Sequence, residues 1–254
     1  MKFDNTNVYN FKNAFRGMRN PKNSWHLSDS WEKYYCDFTS DNPFVNVPEN
    51  AHCYHTCVDV ENSINYLFVL GENDLKLAQS LIKAGSVHRK FMRQIFVSVD
   101  ITAPLYWWKE FDTYKVGTVS NSTSTMHKLA STPITEDCFE MDDFVNIDVG
   151  DTNAKSNWDK QIAYLEELRV KYNETKDKRY WKELIRTLPD SWLQTRTVTM
   201  NYEVLYAICQ KDCRRNHKLN EWSGIDDKAK TNFITWCKGL PFANELIFIS
   251  KDDK

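Results

Sequence analysis

Glycine is scarce in this chain, with only 7 glycines among 254 residues. They form neither a GxGxxG dinucleotide fingerprint nor a P-loop, so a nucleotide or flavin would be held without a glycine-rich phosphate cradle. The sequence also lacks an apolar run of about 18 residues, which a membrane-spanning helix needs. We therefore expect no membrane association.

Disulfide-forming patterns and a secretory leader are missing as well. The seven cysteines are an odd, scattered set, and the N-terminus lacks the apolar core of a signal peptide. Both features favour a reduced, cytoplasmic protein. The net charge of −2 argues against a general nucleic-acid coat, although a few local cations can still hold a small anion.

Aromatic side chains are plentiful, including nine Trp and twelve Tyr, and the length allows one large α/β domain or two small ones. We see no repeat and no low-complexity linker, so we predict a single domain over residues 1–254. Residues 1–60 are interpreted as an irregular N-terminal extension, because Asn, Asp, Ser and Pro clusters separate their aromatics. Residues 130–157 are interpreted as an acidic surface insertion.

Periodicity predicts the secondary structure. Apolar residues three and four apart indicate helices, and β-branched or alternating runs indicate strands. The predicted helices cover 73–83, 158–173, 179–188, 201–212, 217–222 and 228–238, with a further helix opened by Ala103-Pro104. The predicted strands cover 91–101, 193–200 and 114–119, the last of which is broken at Gly117. Residues 120–125 are too polar for a core strand and are predicted to form a structured loop.

A cluster of potential zinc ligands lies within the first sixty residues, where HCYHTC supplies His52, Cys53, His55 and Cys57. Structural zinc sites usually combine two closely spaced pairs, and no second pair follows. We therefore assign no metal site, and a zinc-dependent protein stays a weaker alternative.

The segment from Ala103 to Leu129 is the densest in side chains that hold polar ligands. Its run Ser120–Thr125 offers hydroxyls and an amide that both donate and accept hydrogen bonds, which suits ribose hydroxyls, base edges or phosphate oxygens. Lys109 and Lys115 supply positive charge. The same run is equally compatible with a polar turn bonded to its own backbone.

Two blocks carry a family resemblance. In the first block, from His88 to Leu129, a turn that contains a histidine is followed by a buried strand. An Ala-Pro-aliphatic-aromatic sequence then opens a helix. Downstream come Leu188-Pro189, TRTVTMN ending at Asn201, and a pair formed by His217 and Glu221. Together the blocks resemble the flavin-dependent thymidylate synthases over about half of the chain.

The resemblance implies an α/β (α+β) fold with a central sheet flanked by long helices. It also implies a homotetramer that binds FAD at subunit interfaces and methylates deoxyuridylate, with methylene-tetrahydrofolate and NADPH as co-substrates. The chain departs from the family where Thr113-Tyr114-Lys115 replaces Arg-His-Arg and where Glu203 replaces an arginine.

The site residues are carried over position by position, and no catalytic residue is assigned. The candidates for cofactor binding are His88, Tyr114, Lys115, Asn201 and His217. The candidates for nucleotide binding are Lys109, Glu110, Asn121, Ser122, Thr123, Thr125, Arg196, Arg214 and Arg215. The prediction is a divergent flavin-dependent enzyme that binds a pyrimidine deoxynucleotide and modifies it at C5. The alternative is a non-catalytic nucleotide- or nucleic-acid-binding protein on the same scaffold.

Overall fold

The computed structural model describes residues 1–36, 47, 51–59, 64–141, 147–225 and 231–249. Its strands are β1 (Lys2–Tyr9), β2 (Trp31–Cys36), β3 (His52–Asp59), β4 (Ile64–Leu70), β5 (Phe96–Pro104), β6 (Val119–Ser122), β7 (Asp148–Val149), β8 (Thr152–Asn153) and β9 (Leu193–Asn201). Its helices are α1 (Phe11–Met18), α2 (Glu72–Lys83), α3 (Leu105–Phe111), α4 (Thr125–Lys128), α5 (Ala154–Thr175), α6 (Lys178–Thr187), α7 (Tyr202–Ile208), α8 (Asn220–Ser223), α9 (Phe233–Lys238) and α10 (Ala243–Leu246). This mixture confirms the predicted α/β class.

The described strands form three sheets. A four-stranded sheet has the order β1-β5-β9-β6, and a three-stranded antiparallel sheet has the order β2-β4-β3. The short strands β7 and β8 pair with each other. No helix among the described residues has both the length and the apolarity needed to cross a bilayer.

The described chain divides into two compact units. Unit 1 contains residues 1–4, 100–115 and 120–198, and unit 2 contains residues 5–99, 116–119 and 199–254. Boundaries fall inside β1, β5, β6 and β9, so each of these strands contributes residues to both units. The single domain over 1–254 stays a prediction.

Unit 1 contains the long helix α5 and the amphipathic helix α6. Asn153 and Asp177 cap them, each accepting a hydrogen bond from a backbone N–H in the first turn. The apolar stripe of α5 buries Leu165 and Leu168 against Leu184 of α6. Each fully buried leucine contributes about 1.5–3 kcal/mol of hydrophobic stabilisation.

Unit 2 has an aromatic core built on α1. Apolar residues at positions 11, 14, 15 and 18 of this helix are buried, as helical spacing requires. Phe11 stacks on Phe68 of β4 with ring centroids 5.5 Å apart and meets Tyr202 and Phe242 edge-on. The helix therefore packs through its rings rather than through aliphatic side chains.

The prediction that residues 1–60 are irregular is wrong for the described part of that range. It holds β1, α1, β2 and β3, with short 3-10 turns at Asn20–Lys22 and Trp25–Leu27. The polar residues that suggested loops occupy exposed faces, because a strand in a half-exposed sheet alternates between core and solvent. Asn5, Asn10 and Asn23 also adopt positive φ, which Asn tolerates better than most residues.

The predictions for residues 114–125 need correction too. Residues 114–118 form a turn around Gly117 rather than a strand, because Gly117 has φ +77°. The predicted loop 120–125 instead contains β6 and the start of α4. Strand β6 lies at the end of the sheet order and is exposed on both faces. Its polar side chains therefore stay in contact with solvent, and placing them there costs little free energy.

Three further boundaries differ from prediction. Helix α7 ends at Ile208, and α8 begins at Asn220, so both are shorter than expected. Helix α9 starts at Phe233, while residues 228–230 of its predicted extent lie outside the described residues.

Within the acidic segment, Ile134 and Phe139 are buried in the unit 1 core, and residues 147–152 are exposed. Its residues 142–146 are not described.

Candidate functional site

The polar segment after β6 is anchored to β9 within unit 1. The backbone N–H of Thr123 donates to the carbonyl oxygen of Thr195 at 2.9 Å. The Gln194 amide donates from Nε2 to the Thr123 carbonyl at 3.0 Å and to Thr125 Oγ1 at 3.4 Å. Contacts from the neighbouring strand β9 therefore position Thr123 and Thr125. The alternative of a polar turn bonded only to its own backbone does not account for these contacts.

Arg196 is the most constrained predicted nucleotide ligand. Its Nε donates to Gln194 Oε1 at 2.9 Å, and its Nη1 donates to Asp112 Oδ1 at 2.7 Å. The guanidinium also lies over the Trp108 ring, 4.2 Å from the centroid. Asp112 offsets its charge, so Arg196 offers an oriented guanidinium with reduced attraction for an anion.

The other unit 1 candidates lie on or after α3 and on β6. Lys109 forms an ion pair with Asp190, with 2.5 Å between Nζ and Oδ2, and both groups are largely exposed. Glu110 is half-buried in α3. Asn121 and Ser122 are exposed on β6, where their side chains are accessible to a ligand.

Tyr114 and Lys115 occupy the positions where the sequence departs from Arg-His-Arg. Tyr114 is half-buried, with its ring 6.5 Å from that of Phe111. Lys115 is exposed and forms no ion pair within the described part of the chain. Lys115 is therefore a cation in unit 1 whose charge is not offset by a described carboxylate.

Unit 2 contains the remaining candidates, and Asn201 has a structural role there. Its Oδ1 accepts a hydrogen bond from the Val204 N–H at 3.1 Å and so caps α7. A Cβ added at Gly117 would lie 2.7 Å from Asn201 Nδ2. Asn201 thus holds the turn at Gly117 close to the start of α7.

The remaining unit 2 candidates are two histidines and two arginines, and each arginine lies over an aromatic ring. His88 is exposed at the start of a 3-10 turn over Arg89–Gln94. His217 accepts the Leu219 N–H at its Nδ1, 3.2 Å away, at the start of α8. The guanidinium of Arg214 lies over the Trp222 ring at 4.8 Å, and that of Arg215 lies over the Phe248 ring at 5.2 Å.

The sequence reasoning missed an arginine pair around Glu203. Arg89 donates from Nε to Glu203 Oε1 at 3.2 Å, and Arg93 also contacts both carboxylate oxygens. Arg89 additionally lies over the Tyr206 ring, 4.5 Å from its centroid. The sequence did offer a signal for these ion pairs. Arg89 and Arg93 lie four positions apart, and Glu203 replaces an arginine of the resembled family.

The donor set of unit 2 fits the polar edge of a flavin ring. Thr118 Oγ1 and the Tyr206 hydroxyl are buried without a hydrogen-bond partner among the described residues. Burial raises the pKa of Tyr206, and the nearby Arg89 only partly opposes this, so the hydroxyl remains a donor at neutral pH. Arg89 and Arg93 exceed Glu203 by one positive charge, which favours an anionic group.

The zinc alternative finds no support in the arrangement of β3. Alternation places Cys53, His55 and Cys57 on one face and His52 on the other. His52 Nδ1 lies 2.8 Å from Glu245 Oε1. Within the described ranges, no three His, Cys, Asp or Glu side chains come together as a metal site.

Known structures resemble this chain in fold. No protein-family profile matches the sequence, and no curated protein matches it. A crystal structure of the Helicobacter pylori flavin-dependent thymidylate synthase ThyX, complexed with FAD and dUMP, aligns over 97% of this chain and 98% of its own with a TM-score of 0.58 and 15% identity. A second ThyX structure from this organism, with FAD and dUMP, covers 100% of both chains with a TM-score of 0.56 and 14% identity. The likeness shows a shared fold over the whole chain.

Proposed function

We propose that this protein binds a pyrimidine deoxynucleotide and modifies the base at C5, with a flavin as redox cofactor. The observation that carries the proposal is the fold likeness over the whole chain to ThyX structures that hold FAD and dUMP. Because a fold by itself does not specify a function, the local chemistry has to agree with it. The positioned polar segment in unit 1 and the donor set in unit 2 supply that agreement.

The nucleotide contacts in this proposal come from unit 1. Anchoring by Gln194 fixes the backbone carbonyl of Thr123 and the hydroxyl of Thr125, which lowers the entropy lost when a ligand binds. The exposed Asn121 and Ser122 supply donors and acceptors for a ribose or a base edge. Lys115 supplies the charge for the phosphate, since Arg196 is already paired with a carboxylate.

The flavin contacts in this proposal come from unit 2. A bound flavin would supply the hydride that reduces a carbon unit added at C5. The Tyr206 and Thr118 hydroxyls would bind the ring edge, while Asn201 and His217 position α7 and α8. The homotetramer, NADPH and methylene-tetrahydrofolate belong to the proposal through the family resemblance alone.

A nucleotide-binding protein without redox chemistry is the second candidate. The observation that favours it is the replacement of Arg-His-Arg by Thr113-Tyr114-Lys115, which leaves fewer cations to hold both a nucleotide and a flavin. Flavin retention separates the candidates, because a binding module needs no redox cofactor.

Lys115→Ala tests the nucleotide site. Removing one exposed cation near a phosphate costs about 1 kcal/mol, so we expect dUMP to bind roughly fivefold more weakly by isothermal titration calorimetry. The matched control is Lys160→Ala, which removes an exposed lysine from α5. Both variants should unfold within about 0.5 kcal/mol of the parent protein.

An unchanged dissociation constant in Lys115→Ala would remove this residue from the site. An equal loss in Lys160→Ala would show that the effect reflects net charge rather than position. Absence of dUMP binding in the parent protein at millimolar concentration would contradict the nucleotide site itself.

A further inference from the structure

A cavity of about 400 Å³ in unit 2 is lined by none of the predicted site residues. Helix α1 and its C-terminal end contribute Lys12, Phe15, Arg16 and Arg19, and Phe68 of β4 completes that side. The loop and strand that follow contribute Trp25 and Trp31. Its volume falls in the range of small-molecule sites.

Arg19 is buried at this cavity, with 4% of its surface exposed. Its Nε donates to Asp74 Oδ1 at 2.6 Å, while the other oxygen of Asp74 accepts from Ser28 Oγ at 2.6 Å and from the Ser30 N–H at 3.1 Å. The guanidinium is therefore held in a fixed orientation by a saturated carboxylate. Its Nη1 reaches only the Ser24 carbonyl at 3.5 Å, and its buried Nη2 has no hydrogen-bond partner in the described part of the chain.

The charges around the cavity leave one positive charge in excess. Lys12 pairs with Glu32 at 2.6 Å, and Arg19 pairs with Asp74. Arg16 also lines the cavity and forms no ion pair with the described residues. Three cations against two carboxylates give a net charge of +1, which matches a monoanion better than a dianionic phosphate.

Four of the residues that line the cavity are aromatic. Phe15 and Phe68 are stacked at 5.8 Å and fully buried, while Trp25 is 42% exposed. Arg16 lies over the Trp25 ring, with its guanidinium carbon 5.4 Å from the centroid. Aromatic walls favour flat rings, which stack on them while an attached charge reaches a nearby cation.

We infer that this cavity binds a small aromatic monocarboxylate. The carboxylate accepts hydrogen bonds from Arg19 Nη2 and takes its compensating charge from Arg16. The ring lies against Trp25 and Trp31, beside the buried phenylalanine pair. The site is separate from the nucleotide and flavin contacts, none of which lines it.

The test is isothermal titration calorimetry of the whole protein with three probes. 2-Naphthoate carries both the ring and the carboxylate, 2-naphthamide keeps the ring without the charge, and acetate keeps the carboxylate without the ring. We expect 2-naphthoate to bind at least roughly tenfold more tightly than either, since a buried charge-assisted hydrogen bond and a stacked ring each supply about a factor of ten.

Two exposed positions locate the binding without risk to the core. Arg16→Gln and Trp25→Ala should each weaken 2-naphthoate at least about fivefold and leave dUMP binding unchanged. The matched control is Lys33→Gln, an exposed lysine on β2 that does not line the cavity. Arg19→Lys, which keeps the charge beside Asp74 but loses the terminal fork, should also weaken binding if the variant folds.

Several results would overturn the inference. Equal binding of 2-naphthoate and 2-naphthamide would show that no guanidinium takes part. Equal binding of acetate would remove the aromatic walls from recognition. No binding of 2-naphthoate, or an equal loss in Lys33→Gln and Arg16→Gln, would show that the cavity holds only water.

Discussion

Removing the negative charge of Glu203 tests the account of unit 2 most sharply. Glu203 forms ion pairs with Arg89 and Arg93, and it replaces an arginine of the resembled family. Glu203→Gln keeps the size of the side chain and removes its charge. We predict a loss of stability that exceeds the usual effect of a surface charge.

The magnitude follows from the exposure of the three groups. Arg89 and Glu203 are only 13% and 15% exposed, so their charge-assisted hydrogen bond contributes about 1.5–3 kcal/mol. Arg93 is half exposed, and its contact contributes about 0–1 kcal/mol. The glutamine retains one neutral hydrogen bond of about 1 kcal/mol, which leaves a net loss of about 2 kcal/mol. For a chain of this length that corresponds to a fall in Tm of about 4–8 °C.

The assay is urea unfolding of Glu203→Gln beside Glu183→Gln, which breaks a more exposed pair with Arg186 in α6. The control should lose less than about 0.5 kcal/mol. A double-mutant cycle with Arg89→Gln should show a coupling energy of about 1 kcal/mol or more. Equal losses in the two glutamate variants, or additive effects in the cycle, would refute the reasoning.

Three other predictions follow from described contacts. Arg169 holds the pKa of Glu166 below the ordinary glutamate value of 4.5, chiefly through a side-chain hydrogen bond. This contribution to stability is therefore present above that pH and is lost as the pH falls through the lowered pKa. Glu166→Gln should flatten the acid limb of a pH–stability curve, and an unaltered limb would contradict this. Arg196→Lys should destabilise by about 1–2 kcal/mol in urea unfolding, since lysine cannot bridge a carboxylate and an amide while stacking on a ring. A change smaller than about 0.3 kcal/mol would argue against the bridge. Gly117→Ala should lower the free energy of unfolding by at least about 1 kcal/mol, because the position has φ +77° and the new methyl group would lie 2.7 Å from Asn201 Nδ2. An unchanged free energy of unfolding would show that the turn relaxes freely.

Long periodic elements could be predicted from the sequence. The stripe through Leu165 and Leu168 identified α5, and the alternation from residue 193 identified β9, because both patterns arise from burial on one face. The segment around Gly117 was predicted wrongly, because its β-branched neighbours favour a strand while the backbone turns there with positive φ. Tertiary pairing with β9 then makes a strand of the polar residues that follow.

The candidate site was only partly predictable, because sequence shows which groups are present but not which are already paired. Gln194 links Arg196 to the segment at Thr123 and Thr125, but the pairing of Arg196 with Asp112 depends on residues 84 positions apart. Asn201 caps α7, and His217 accepts the N–H of Leu219 just before α8, roles that their local sequence permits but does not demand. The cavity at Arg19 was missed because it depends on a carboxylate 55 positions away.

The measurement that tests the central proposal most directly is a visible absorbance titration of the purified protein with FAD, repeated with dUMP present. The account predicts a bound-flavin spectrum that differs from that of free FAD and changes again when dUMP is added. A spectrum identical to free FAD at every protein concentration, with and without dUMP, would contradict flavin binding. If calorimetry still detected dUMP in that case, the chain would be a nucleotide-binding protein without redox chemistry.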